Sequence, residues 1–184
     1  MKTALLVIDV QHGLFDPAPR PFEADEVIHR INALTQRARA VGAAVAFIQH
    51  ERASGLLAFG ADSWQLAQHL QVLPGDELIA KRTPDSFLNT TLGDWLTAHD
   101  VGRLVICGYA TEFCVDTTTR SAAGLGYEVV LAADAHTTHD KAHASAAQIR
   151  AHHNATLPCL TSFGPSISAV NSADVVFEAD PKNQ

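Results

Sequence analysis

The chain has 184 residues, 47% of them hydrophobic and 18% charged, which suits one globular domain of about 100–200 residues and excludes intrinsic disorder. Thirteen basic against 20 acidic side chains give a net charge of −7, which argues against a phosphate-backbone partner; nucleic acid is not expected. No apolar run approaches the ~20 residues of a membrane span, and Asp9 interrupts the apolar start too early for a signal peptide, so a cytoplasmic protein without a membrane partner is expected.

In chain order, Thr3 to Ile8 is a continuous apolar run, the pattern of a strand buried on both faces. Ala24 to Val41 carries Val27, Ile31, Leu34 and Ala38 at helical spacing, and Gly42 follows as the stop. A second strand is predicted over Ala43 to Gln49, a helix over 62–70 and a short strand over Glu77 to Ala80. Then come a helix over 89–99, a strand over Arg103 to Gly108, a helix over 112–125 and a strand over Tyr127 to Ala132. A helix over 141–153 and a sixth strand over Thr156 to Leu160 complete the series, with Pro158 confining that strand to an edge. This alternation predicts a three-layer α/β/α sandwich around a mainly parallel, doubly wound sheet. No linker or repeat divides residues 1–184, and 179–184 read as a frayed tail.

In such sheets, sites form beyond the carboxyl ends of the strands, near the switch in strand order. Asp9 ends the first strand, Lys81 follows the third, and Cys114 opens the helix after the fourth. A thiol in a first helical turn, behind Thr111 as N-cap, would feel the helix dipole and have a lowered pKa. Backbone N–H groups there could hold an oxyanion. The competing reading is a buried structural cysteine. Cys107 and Cys159, each inside a predicted strand, fit that reading. Asp9 could serve as general base, or as a loop or capping acid. Lys81 could hold thiolate and carboxylate in place, or be a solvated loop lysine.

Three irregularly spaced cysteines fit neither a disulfide framework nor a zinc site. His152 and His153 are adjacent on a helix and diverge; His136 and His139 fall in a predicted loop without a fixed third ligand. No metal is expected. Glycine-rich phosphate cradles are absent from the sequence, and no cofactor is expected.

These segments resemble the isochorismatase-like cysteine hydrolases. Leu6-Val7-Ile8-Asp9-Val10-Gln11 is similar to that family's first-strand motif. Lys81-Arg82-Thr83-Pro84-Asp85-Ser86-Phe87 is similar to its lysine segment, and Gly108-Tyr109-Ala110-Thr111-Glu112-Phe113-Cys114-Val115 to its cysteine segment. Arg120, Ala122-Ala123, Gly126-Tyr127 and Asp134-Ala135-His136-Thr137 extend the likeness, which runs from about residue 3 to 160. The resemblance implies a Cys114-Asp9-Lys81 triad and a cis peptide at Tyr109–Ala110 that turns the Ala110 and Cys114 N–H groups toward a substrate carbonyl. It also implies attack on an amide-type C–N bond of a small molecule through a thioester.

Nicotinamidases carry an acid-x-His metal pair after the second strand; here His50-Glu51-Arg52 stands in that place, which disfavours that activity. Gln49-His50-Glu51, Gly60, Ser63-Trp64 and Gly75-Asp76 look most like the streptothricin-hydrolase type of branch. His50, Trp64, Gln11 and Phe15 are the candidate substrate-binding residues. The rival readings are an isochorismatase-type cleavage of a vinyl ether and a non-catalytic interaction module. Leu56-Leu57-Ala58-Phe59, bounded by Gly55 and Gly60, together with the resemblance, predicts a homo-oligomer, a dimer or higher even assembly.

Overall fold

The computed structural model describes residues 1–178; the expected tail at 179–184 lies outside the described residues. Six strands, β1 (Lys2–Ile8), β2 (Ala44–His50), β3 (Glu77–Lys81), β4 (Val101–Tyr109), β5 (Glu128–Thr137) and β6 (Ile167–Val170), form one sheet. Every neighbouring pair is parallel, in the order β3-β2-β1-β4-β5-β6. Helices α1 (His12–Phe15), α2 (Ala24–Ala40), α3 (Leu92–Ala98), α4 (Asp116–Gly124) and α5 (Ala146–Thr156) connect them.

Alternation along the strands divides the core in two. Leu5, Val7, Val45, Phe47, Val105 and Cys107 face α2 through Val27, Ile31 and Leu34. Their neighbours Ala4, Leu6, Ile8, Ala46, Ile48 and Ile106 face Leu92 and Leu96 of α3 and Ala122 and Ala123 of α4. The central stretches Ala4–Ile8, Ala44–Ile48 and Leu104–Cys107 are therefore apolar at successive positions, because both of their faces are covered. This is the three-layer α/β/α sandwich. No described helix is long and apolar enough to cross a membrane.

Three predicted elements differ. Residues 62–70 hold only a 3₁₀ turn, Asp62–Trp64. The chain beyond it bonds instead to the loop after β1, through His12 N–H to Gln65 O (2.7 Å) and Ala67 N–H to Val10 O (3.0 Å). The sixth strand is Ile167–Val170; over Thr156 to Leu160, α5 ends and a 3₁₀ turn with Pro158 near its start follows. Proline fixes φ and lacks a ladder donor, so it favours such a turn. Cys159 is consequently exposed, while Cys107 is buried in β4. Helix α5 begins at Ala146, not 141, because Ser145 and Gln148 form a reciprocal capping box.

The strand order reverses between β1 and β4, and their paired ends, Ile8 and Gly108, are nearly in contact. Gly108 has φ +114, and a Cβ there would lie 2.1 Å from the Ile8 carbonyl oxygen. Only glycine permits this approach. It brings the residues after β1 beside those after β4, which is where the candidate site lies.

Candidate active site

Immediately after β1, Asp9 takes a left-handed conformation (φ 51), which aspartate tolerates better than most residues. Its N–H donates to Ile48 O of β2 (2.9 Å). Lys81, the last residue of β3, crosses behind β2 with a fully buried side chain, and its Nζ donates to Asp9 Oδ2 at 2.7 Å. It also reaches Thr83 O (3.1 Å) and His50 Nδ1 (3.3 Å). An ammonium has three protons and no acceptor, so these contacts use all three. His50 Nδ1 therefore accepts, and its Nε2 carries the proton. Burial, reinforced by the charge of Lys81, holds the His50 pKa below its ordinary value and keeps the ring neutral.

The chain leaves β4 through a cis peptide, Tyr109–Ala110, and enters a π-helical turn, Thr111–Val115, that runs into α4. The Ala110 carbonyl accepts from both Phe113 N–H (3.0 Å) and Val115 N–H (3.1 Å). This turn presents Cys114. A carboxylate oxygen of Asp9, a ring nitrogen of His50 and Cys114 Sγ all lie within 4.8 Å of one another. Asp9 Oδ1 is buried with no hydrogen-bond partner among the described residues.

Two expectations about the cysteine change. Thr111 does not cap the helix, because Ala110 occupies the N-cap position and the Thr111 hydroxyl bonds His136 Nδ1 (2.9 Å). The thiol is not acidified either. Burial pushes its pKa up to about 12, the Asp9 charge pushes the same way, and Lys81 opposes both. Cys114 thus rests as a thiol close to the Asp9 carboxylate, whose Oδ2 is paired with Lys81 and whose Oδ1 has no partner among the described residues.

Of the four residues predicted to contact substrate, His50 and Trp64 lie at the rim, while Gln11 and Phe15 are completely buried. The Gln11 amide donates to His50 O (3.0 Å) and Trp64 O (2.8 Å) and accepts from His50 N–H (2.9 Å). Its polar atoms are engaged within the protein, so it positions both rim residues and has no surface for a ligand. Phe15 packs edge-on against Tyr109, with ring centroids 5.8 Å apart, and belongs to the core. Trp64 is half-buried and packs on Phe59 at 4.9 Å, and its Nε1 is buried without a partner among the described residues.

Sequence reasoning missed Gln49, whose amide donates to Trp64 O (3.1 Å). Its position beside His50, at the end of a buried strand, is the available signal. Asp134 bonds Ser172 N–H and Oγ and lies near Arg30, so it is a structural anchor. His136 is on β5, not in a loop, and both of its ring nitrogens have protein partners.

The isochorismatase domain model matches residues 3–162. The chain belongs to the isochorismatase family. Within it, the chain is 41% identical over 140 residues to a streptothricin hydrolase of Streptomyces noursei, covering 74% of this chain and 50% of that protein. It therefore spans about half the length of that relative. It is 31% identical to the ureidoacrylate amidohydrolase RutB of Stutzerimonas stutzeri, over 73% of this chain and 69% of that one. The crystal structure of an isochorismatase family protein, 38% identical, superposes with a TM-score of 0.83 over 92% of this chain and 98% of that one. Its relatives in that family thus include proteins named as a hydrolase and as an amidohydrolase.

Proposed function

We infer that this member of the isochorismatase family hydrolyses an amide-type C–N bond of a small molecule, with Cys114 as nucleophile and Asp9 as general base. The observation that carries this reading is a carboxylate with one oxygen, Oδ1, unpartnered and the other held by Lys81, lying within 4.8 Å of Cys114 Sγ and a His50 ring nitrogen.

A thiolate is a much stronger base than a carboxylate, so the proton moves as Sγ attacks rather than beforehand. The Sγ–C bond forms, the thiol proton passes to Asp9 Oδ1, and the carbonyl electrons move onto oxygen. The Ala110 and Cys114 N–H groups receive that oxyanion. Its collapse breaks the C–N bond, and Asp9 returns the proton to the departing nitrogen. Water then attacks the Cys114 thioester and gives a proton to Asp9. The C–S bond breaks, a carboxylic acid leaves, and Asp9 restores the thiol proton.

Lys81 keeps the buried carboxylate oriented and compensated. His50 offers Nε2–H to an acceptor on the substrate, and Trp64 offers an aromatic face. The activity is proposed to need no metal, so exhaustive chelation should leave it intact. The exposed Leu56 and Phe59 support a homo-oligomer, which light scattering tests against the 19.7 kDa monomer mass.

The test is a screen of small amides for released ammonia or amine, followed by Cys114→Ala. Turnover lost on substitution supports the reading. Cleavage of a vinyl ether that survives Cys114→Ala, with no amide turned over, replaces it with the isochorismatase-type reaction.

A further inference from the structure

Two histidines that the thiol chemistry leaves unused bracket the turn carrying the nucleophile. On one side, Tyr109 Oη lies 2.8 Å from His139 Nδ1, and His139 Nε2 lies 2.9 Å from Pro19 O. A carbonyl can only accept, so Nε2 bears the proton and Nδ1 accepts from the phenol. On the other side, Asn154 Nδ2 donates to Ala133 O (2.8 Å), which fixes the amide and presents its Oδ1 to His136 Nε2 (2.8 Å). His136 Nε2 therefore donates, and Nδ1 accepts from the Thr111 hydroxyl at 2.9 Å. Both hydroxyls that flank Ala110 thus meet imidazole nitrogens whose other ring nitrogen is anchored by a protein oxygen.

Neighbouring contacts extend the pattern. Glu112 Oε1 accepts from Thr138 Oγ1 (2.9 Å) and pairs with Lys141 Nζ (3.1 Å). Residues 109, 111 and 112 are thereby bound to residues 136–141. The register shows how this is arranged: from Ile106/Leu131 to Gly108/His136, β4 advances two residues and β5 advances five. The extra length of β5 loops out, and its last residues arrive level with the turn. Burial pushes the His136 pKa down to about 4, so its Nδ1 stays an acceptor for Thr111 at neutral pH, and pushes the Tyr109 pKa up to about 12, so the phenol keeps its proton.

We propose that His136 and His139 are positioning residues. By receiving the Thr111 and Tyr109 hydroxyls, they hold the Ala110–Cys114 turn so that its N–H groups meet the oxyanion. This rests on the thiol chemistry proposed above. It predicts that loosening the clamp harms acyl transfer, which develops an oxyanion, and spares simple alkylation of the same sulfur, which does not.

The experiment compares two second-order rates at Cys114, mapped by mass spectrometry: acetylation by p-nitrophenyl acetate and alkylation by iodoacetamide. Thr111→Val should lower the ratio of acetylation to alkylation about tenfold, and Tyr109→Phe, whose side chain is only part-buried, about threefold, since small misplacements of reacting groups are costly. Thr111→Ser keeps the hydroxyl and should restore the ratio to within about twofold of the parent. Melting curves identify any variant that fails to fold, and Tyr109→Phe tests the other arm of the clamp independently. If the parent ratio is high and Thr111→Val and Tyr109→Phe leave it unchanged, the clamp is overturned and the thiol chemistry stands. If Cys114 of the parent is acetylated no faster than the exposed Cys159, the clamp and the proposed function fall together.

Discussion

On the floor of the site, Lys81 reaches three acceptors, and Asp9, close to Cys114, keeps one oxygen without a partner among the described residues. At the rim, Phe59 and Leu56 are 71% and 57% exposed, and the Trp64 indole nitrogen has no partner among the described residues. The floor is held by strand ends whose positions the sheet dictates. The rim is a loop between β2 and β3, and Gln11 and Gln49 both hold it to the floor by donating to one backbone carbonyl, Trp64 O. Bond-breaking needs fixed geometry, whereas a recognition surface can vary on a fixed scaffold. The contrast predicts that floor substitutions cost both stability and rate, and that rim substitutions alter substrate choice at little cost to folding.

The largest effect belongs to Lys81→Met. It leaves the Asp9 carboxylate buried and uncompensated, a loss of about 3–5 kcal/mol in urea unfolding together with loss of turnover. A variant that remains as stable as the parent would contradict the account of the floor. Gly108→Ala comes next: its Cβ would meet the Ile8 carbonyl, and its φ of +114 is unfavourable to alanine. The overpacking and backbone terms together amount to about 3 kcal/mol, measurable by the same unfolding experiment.

His136 gives the floor a pH signature. In the folded protein its pKa is depressed from 6.5 to about 4, mainly by burial. A depressed histidine contributes stability that is fully present above the unfolded value and is lost as pH falls toward the folded one. The gap corresponds to about 3 kcal/mol lost between pH 6.5 and 4. His136→Asn should be less stable than the parent at pH 7.5, yet lose less between pH 7.5 and 5. Parallel losses in the two proteins would show that His136 is not the group responsible.

The smallest effect on folding is expected at Phe59, whose exposed ring contributes under about 1 kcal/mol. Phe59→Ser should instead change KM or substrate preference through its contact with Trp64, with kcat altered less. If KM and preference are both unmoved, the rim is packing alone.

How much of this was legible in the sequence follows the same division. Asp9, Lys81 and Cys114 could be placed together because continuous apolar runs mark buried parallel strands, and parallel strands send their carboxyl ends to one edge. What periodicity could not reveal were effects that depend on neighbours. The segment after Trp64 carries apolar residues but bonds to the loop after β1 instead of coiling. Thr111 has the residue type of a helix cap, but a buried imidazole takes its hydroxyl. The thiol pKa depends on neighbours in the same way: the helix position favours thiolate, but burial and Asp9 outweigh it. Gln11 and Phe15 stand one helical turn apart beside the site, and only packing shows that both face inward.

The most direct test of the central claim is intact-mass analysis of the protein quenched during turnover of an amide found in the screen. The account predicts a mass increase equal to the acyl group, mapped to Cys114 and removed by hydroxylamine, in the parent and not in Cys114→Ala. Steady turnover by Cys114→Ala at the parent's rate, with no acyl adduct on either protein, would contradict it.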